Sequence, residues 1–409
     1  MKKYDAKNGY YGQFGGRYVP EMLIPNLENL EKTYLDAINN EDFIAEYKFY
    51  LKEFVGRPSP LIYAENLTKI CDGAKIFLKN EGNNLTGSHK INHCLFQILL
   101  AKKLGKTRII CETGAGQHGV ATAVVCAKFG LKCDVFMGYE SVKKQYPNVF
   151  WMEQLGAKVN IVKDGNAGLT EAVNAAMGAW LRDLDAYYLL GSALGPSPYP
   201  EIIRFAQKIV GKEISSQLKE KYQINKPDYV VACIGGGSNA IGAFDYFLED
   251  ESVNLVGVEA GGVGDKNGEH AVRLGYNQSN IGIFEGFKTY FLQTKTGSLS
   301  KTTSIAAGLD YVGISPIHAY LFEQKRLQIQ VCTDKMATAG FQELAKNEGI
   351  LCALESAHAV AIGIKIAKEL TKNQSIVINV SGRADNYLFN IANTINPTEF
   401  HKNLKSYLD

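Results

Sequence analysis

Long apolar runs are missing from this chain. None reaches the ~18 residues that a membrane span needs, and the opening MKKYDAKNGYYGQFGG lacks the apolar centre of a secretory leader. An excess of one charge is missing too. Lysine and arginine number 44 against 42 acidic residues, a formal net charge of +2, which argues against a nucleic-acid or membrane-surface partner. No C-x-x-C pair occurs among the eight cysteines at 71, 94, 111, 126, 133, 233, 332 and 352. Most of them sit inside apolar runs such as TAVVCAKFG and YVVACIGGG, so buried free thiols in a reducing cytoplasm are expected rather than disulfides or zinc. Neither a long-period repeat nor a low-complexity tract is evident. Proline is sparse at 11 residues, whereas glycine reaches 40. The glycines gather at the ends of apolar runs, in ETGAGQHG, IGGGSNAIG, EAGGVGDKNG and NVSGRADN. Those are the places where α/β proteins put loops that a ligand approaches closely.

At 409 residues the chain is too long for one small core and suggests two domains, at ~150 residues each. Short β-branched runs alternate with helical patterns. Strands are expected over 74–79, 107–112, 133–138, 158–162, 228–234, 253–259 and 375–380, and helices over 90–104, 117–130, 143–155, 167–184, 200–223, 335–348 and 356–371. Alternation with strands that are apolar throughout predicts an α/β fold of two domains, each a mostly parallel twisted sheet with helices on both faces. The polar stretch KIVGKEISSQLKEKYQINKP, ending at Pro227, marks a boundary near 205–227.

Three loops carry candidate chemistry. YVVACIGGGSNAIGAF reads as a buried strand, then Gly235, Gly236, Gly237, Ser238 and Asn239, then a helix. Converging backbone N–H groups with Ser238 and Asn239 as side-chain donors make a phosphate cradle, although a plain glycine-rich turn is the competing reading. The spacing fits neither a P-loop nor the dinucleotide fingerprint. CETGAGQHGVATA repeats the layout, with Glu112 at the strand end, then Thr113, Gly114, Ala115, Gly116, Gln117 and His118. Lacking lysine and arginine, this loop suits a carboxylate better than a phosphate. Glu112 is either a structural ion-pair partner or an acid/base group. In INVSGRADN, Ser381 closes a strand, and an uncharged hydroxyl suits a ring nitrogen that must stay unprotonated.

The segment LTGSHKINH places Lys90 at the mouth of a helix, where the positive end of the dipole disfavours a cation. It is either a solvated surface lysine or an amine that works with a depressed pKa. Pyridoxal phosphate reconciles a lysine, a phosphate cup and a carboxylate loop in one chain.

The chain resembles the tryptophan synthase beta family of fold type II pyridoxal-phosphate enzymes, from YYGQFGGRYVPE to INVSGRADN. The shared marks are GRPSPL, GSHKIN, ETGAGQHGVATA, LLGSALGPSPYP, GGGSNAIG, GVEAGG, AGLDY and ALESAHA. The resemblance implies that Lys90 holds the cofactor as an imine, that His89 and residues 235–239 bind its phosphate, and that Ser381 and Glu355 line its ring. It implies that Thr113, Gly114, Ala115, Gly116, Gln117 and His118 hold the substrate carboxylate, that Glu112 is the acid/base group, and that Asp310 pairs with a basic group when the site closes. The implied reaction is β-replacement on L-serine through an aminoacrylate, with indole as nucleophile, giving L-tryptophan and water. Serine dehydration, cysteine synthesis and β-substitution by another nucleophile compete. An inactive homologue serving as a partner subunit is disfavoured by the presence of Lys90, Glu112 and Ser381. A homodimer, an alpha chain and a monovalent cation are further expectations. The expected domains are 1–55 with 89–207, including a mobile subdomain at 105–195, then 56–88 with 208–395, and a tail at 396–409.

Several positions depart from the family pattern: Asn80, Gly82, Leu85, Ser88, Lys144, Thr170, Val312, Ala384, Asn386 and Tyr387. Lys144 stands where an arginine is expected to meet Asp310. Glu285 stands where an aromatic residue or histidine is expected beside the indole. It either turns to solvent or to Lys288, leaving an indole pocket of Phe284, Phe287 and Tyr311, or bonds an indole N–H, or recognises a different nucleophile.

Overall fold

Segments far apart in sequence assemble the largest sheet. In the computed structural model, residues 3–384 and 388–408 are described. The six strands run in the order Leu327–Thr333, Asn254–Gly262, Tyr229–Cys233, Ser375–Val380, Lys75–Asn80 and Leu61–Tyr63. Every neighbouring pair is parallel except the last. A second sheet, Lys158–Val162, Lys132–Gly138, Arg108–Thr113 and Tyr187–Tyr188, is parallel throughout. This is the α/β architecture expected. Ser375–Val380 shows why its apolar run has no alternation: all of its residues are buried, with helices packed on the sheet.

All seven expected strands are present. A four-stranded antiparallel sheet is additional: Tyr10–Tyr11, Phe14–Gly15, Phe287–Leu292 and Ser279–Phe284. The last two form a hairpin joined by Glu285 and Gly286, both at positive φ, +46° and +87°. Such a two-residue connection matches the twist of paired strands, but it is normally built from Asn, Asp or Gly. Two expected helices are each split. The one over 143–155 forms Tyr139–Lys144 and Tyr146–Gln154, because Pro147 starts a new first turn after Gln145 leaves helical geometry. The one over 200–223 forms Tyr199–Gln207 and Ile209–Tyr222. The bend at Lys208 lets Gly211 lie against the Gly242–Ala243 backbone, where a Cβ would come within 3.0 Å of the Ala243 carbonyl. All eight cysteines are buried and free. No helix among the described residues is long and apolar enough to cross a membrane. The departures at Asn386 and Tyr387 lie outside the described residues.

A buried ion cluster joins the sheet to the helix Lys90–Lys103. Arg57 Nη1 and Nη2 donate to the two carboxylate oxygens of Glu81 at 2.7 and 2.9 Å, and Arg57 Nε and Nη2 donate to Glu213 at 2.9 and 2.7 Å. Lys79 Nζ donates to Glu213 at 2.6 Å. Asn92, two residues past Lys90, accepts from Arg57 at 2.9 Å and donates to Glu81 at 3.0 Å. Burial pushes the Glu81 carboxyl up, but the Arg57 guanidinium, Lys79 and the Ser59 hydroxyl outweigh it and hold the group well below the usual carboxylate range. Its stabilising contribution is therefore complete above that range and is lost as the pH falls below it. Removing one partner leaves the others charged and buried. Glu213→Ala is expected to destabilise the fold by about 3–5 kcal/mol in denaturant titration; a loss of less than about 1 kcal/mol, the value of an exposed pair, would show that the cluster carries no such weight.

Candidate active site

The carboxyl ends of strands from both parallel sheets open on one cavity, the place where such folds put their ligands. Of the residues expected in the site, Gly116, Asp310, Phe284 and Phe287 do not line it, and the others do. Gly116, at φ +94°, is turned toward Asn148, where a Cβ would meet that side chain at 2.6 Å. Asp310 stands behind the wall; burial raises its carboxyl pKa, and Lys144 is near enough to oppose that rise.

Lys90 is the first residue of its helix, and its Nζ donates to the Gly191 carbonyl at 2.5 Å. Burial lowers its pKa, against the pull of Cys94, Glu112 and Glu355, so the amine is biased toward its neutral form. His89 places Nδ1 3.2 Å from the Ser381 carbonyl and Nε2 3.0 Å from Ser238 Oγ. The carbonyl can only accept, so Nδ1 carries the proton and Nε2 accepts from Ser238. Burial, reinforced by Lys90, brings this imidazole down to about 3 and keeps it neutral.

The cup at 235–237 admits only glycine. A Cβ on Gly235 would lie 2.2 Å from the Gly308 carbonyl, one on Gly236 2.5 Å from Ser192 Oγ, and one on Gly237, at φ +104°, 2.7 Å from His318. Backbone N–H groups can therefore approach an anion closely. Asn239 does not supply the side-chain donor expected of it. Its amide donates to the Cys233 carbonyl at 2.9 Å and accepts from Asn379 at 2.5 Å, bracing the loop instead. Ser192, absent from the expected set, accepts from the Ser238 N–H at 3.2 Å.

Thr113 Oγ1 accepts the Gly116 and Gly119 N–H groups at 3.1 and 3.3 Å, which shapes the loop that carries Gly114 and Ala115. Gln117 Oε1 is buried without a partner. His118 turns Nε2 to the Leu189 carbonyl at 3.0 Å, and burial brings it too down to about 3. Glu112 accepts from the Gly191 N–H at 3.2 Å through Oε1. Burial pushes its carboxyl up to about 7, with Tyr188, Gly191 and Lys90 pulling the other way. Ser381 Oγ lies 2.9 Å from Ser356 Oγ, and Glu355 Oε1 accepts from the Gly308 N–H at 2.8 Å.

The rest of the wall is apolar and was not foreseen. Leu169, Val173, Met177 and Trp180 come from one face of the helix Leu169–Arg182; their i, i+4, i+8, i+11 spacing is the signal that could have found them. Phe284 and Phe287, expected in a ring pocket, do not line the cavity. They pack behind it, with Phe284 5.8 Å from the Tyr311 ring. Lys288 does not pair with Glu285 but donates to Gln13 at 3.2 Å. Glu285 instead lines the cavity and accepts a hydrogen bond from the Tyr311 hydroxyl.

A neutral-biased lysine, a backbone anion cup without a basic side chain, and an uncharged serine at a strand end fit a phosphate-bearing pyridine aldehyde. The family model described as pyridoxal-phosphate dependent enzyme matches residues 52–382. The chain is 49% identical over 401 residues to the tryptophan synthase beta chain of Helicobacter hepaticus (strain ATCC 51449 / 3B1), covering 96% of this chain and 95% of that relative. Because both matches run through every loop that lines the cavity, from His89 to Ser381, the chain belongs to the tryptophan synthase beta family of pyridoxal-phosphate-dependent enzymes.

Proposed function

We propose that the chain condenses L-serine with indole to give L-tryptophan and water, with Lys90 as the amine that holds pyridoxal phosphate. The observation that carries this reading is that one cavity brings together the buried Lys90 amine, the glycine cup and Glu112. When bound, the cofactor supplies an electron sink for negative charge at the substrate Cα. Gly235, Gly236, Gly237 and Ser238 would hold its phosphate, Ser381 and Glu355 its ring. Lys90, whose pKa burial lowers, would take the proton from Cα. Thr113, Gly114, Ala115, Gln117 and His118 orient the serine carboxylate. Glu112, near 7, gives its proton to the departing serine hydroxyl and then takes the ring N–H proton as the indole attacks; a pKa near the working pH serves both directions. The apolar helix face Leu169–Trp180 excludes water, which favours an aromatic nucleophile over hydrolysis.

The matched relative is named a beta chain, which supports an alpha-chain partner that delivers indole. A homodimer, cytoplasmic residence and dependence on a monovalent cation belong to the same reading, and so does the division into residues 1–55 with 89–207 and 56–88 with 208–395.

Two substitutions test the roles. Borohydride reduction followed by mass spectrometry is expected to find cofactor attached to the wild-type chain and none on Lys90→Ala; an adduct on the variant moves the attachment to another residue. Glu112→Gln keeps the shape but cannot transfer a proton. It is expected to lower kcat by about 10²–10⁴ while the cofactor absorbance of the resting enzyme stays as in wild type. A variant within a factor of about three of wild type in kcat would remove Glu112 from the acid/base role.

A further inference from the structure

Three carboxyl groups line the cavity: the reaction above uses Glu112, Glu355 accepts from the Gly308 N–H, and Glu285 has no part assigned to it. Glu285 is set in the two-residue connection between Ser279–Phe284 and Phe287–Leu292, at φ +46°. Asn, Asp or Gly adopts that conformation readily, and a glutamate there is uncommon. Backbone strain of this kind persists where the surroundings enforce it and clusters at ligand sites. The turn is enforced: the Gly286 carbonyl accepts from the Tyr18 N–H at 2.8 Å, and Lys288 pairs with Gly15 across the adjoining strand.

The turn directs the Glu285 side chain into the cavity wall, where Tyr311 donates to Oε2 and Oε1 is buried with no partner. Burial, with a further push from Glu112, raises this carboxyl to about 8. Near neutral pH it is therefore a neutral acid that can both donate and accept. In the same cavity wall Leu194 and Pro196 carry no polar side-chain atom, and Trp180 Nε1 is likewise buried without a partner. An unsatisfied buried carboxyl is costly, and an apolar ring placed against it would leave it so. A ligand carrying a hydroxyl or amino group at that end of the ring would complete it.

Resting on the proposed condensation and adding to it, we propose that Glu285 and Tyr311 form a hydrogen-bonding subsite that selects a nucleophile with a second polar group, such as a hydroxyindole. Glu112 is committed to the proton of the ring N–H, so a nucleophile with one donor leaves Glu285 idle. One with two polar groups satisfies both carboxyls. Sites built to bond a hydroxyl discriminate against the analogue that lacks it, because the protein group is then left unpaired.

The test uses the cofactor-loaded enzyme with L-serine, and compares indole with 4-, 5-, 6- and 7-hydroxyindole in the wild type, Glu285→Gln and Glu285→Leu. The readout is the ratio of kcat/KM for each hydroxyindole to that for indole, which cancels general losses of activity. At least one isomer is expected to gain about tenfold or more on indole in the wild type. Glu285→Leu is expected to abolish that preference and Glu285→Gln to retain part of it. Equal ratios in the wild type and Glu285→Leu for all four isomers overturn the subsite. Binding of the same compounds without serine, followed by calorimetry, separates this from the reaction itself. A hydroxyindole preference in binding that Glu285→Leu removes, with no turnover of any ring, upholds the subsite and defeats the condensation. Turnover of indole with no preference in either assay does the reverse.

Discussion

Four buried charges hold the first turn of the helix that begins at Lys90, and the cavity depends on them. Arg57 and Lys79 face Glu81 and Glu213 without a net charge, and Asn92 is bonded into the cluster from the helix side. Asn92 also donates to Gln207, which in turn donates to the His89 carbonyl at 2.9 Å. The chain of bonds thus passes from the sheet through the helix Tyr199–Gln207 to the residue before Lys90. Ion pairs of this kind add little to stability over a well-packed apolar core. What they provide here is direction: each partner has one geometry that leaves no charge unpaired.

Inside the cavity the dominant electrostatic force is desolvation. It lowers Lys90, holds His89 and His118 neutral, and raises Glu112 and Glu285. Acids and bases are thereby brought toward the same pH, which is the condition for passing protons between them. The histidines, with both ring nitrogens of His89 engaged by protein groups, act on the loops they touch and take no part in charge balance. Any anion held at the cup is consequently bound by N–H dipoles, and Lys90 is the one basic side chain other than histidine among the described residues lining the cavity.

Much of this was legible because strands buried on both faces have no room for polar groups until they end. Glu112 and Thr113 close one strand, Ser381 follows another, and Gly235 comes directly after Cys233 and Ile234. A change from apolar run to glycine or polar residue therefore marks the ligand edge in the sequence. The antiparallel hairpin was not legible, since SNIGIF buries only its last residue and shows no alternation, although FKTYFL buries Phe287, Thr289 and Phe291 in turn. Glu285 departs from the family pattern in the sequence, but its orientation follows from a positive φ that no composition reveals. Phe284 and Phe287 were misplaced for the same reason: on a tightly turned hairpin, neighbours in sequence face opposite sides.

The polar residue that breaks the strand-end pattern explains how the two ends of the cavity are kept in register. Glu259 lies fully buried inside the strand Asn254–Gly262, where a carboxylate would be prohibitive alone. It accepts the N–H groups of Arg273, Leu274 and Gly275 at 2.9–3.0 Å and pairs with the Arg273 guanidinium at 3.2 Å. Arg273 then donates to the carbonyls of Ile234 and Gly235 at 2.7 and 2.9 Å, and to that of Tyr311 at 3.3 Å. One buried cation thus holds the glycine cup from behind and also the residue whose hydroxyl bonds Glu285. The Gly235 and Tyr311 ends of the cavity thus share one buried support, and loss of the Arg273 cation would leave Glu259 charged and unpaired behind both.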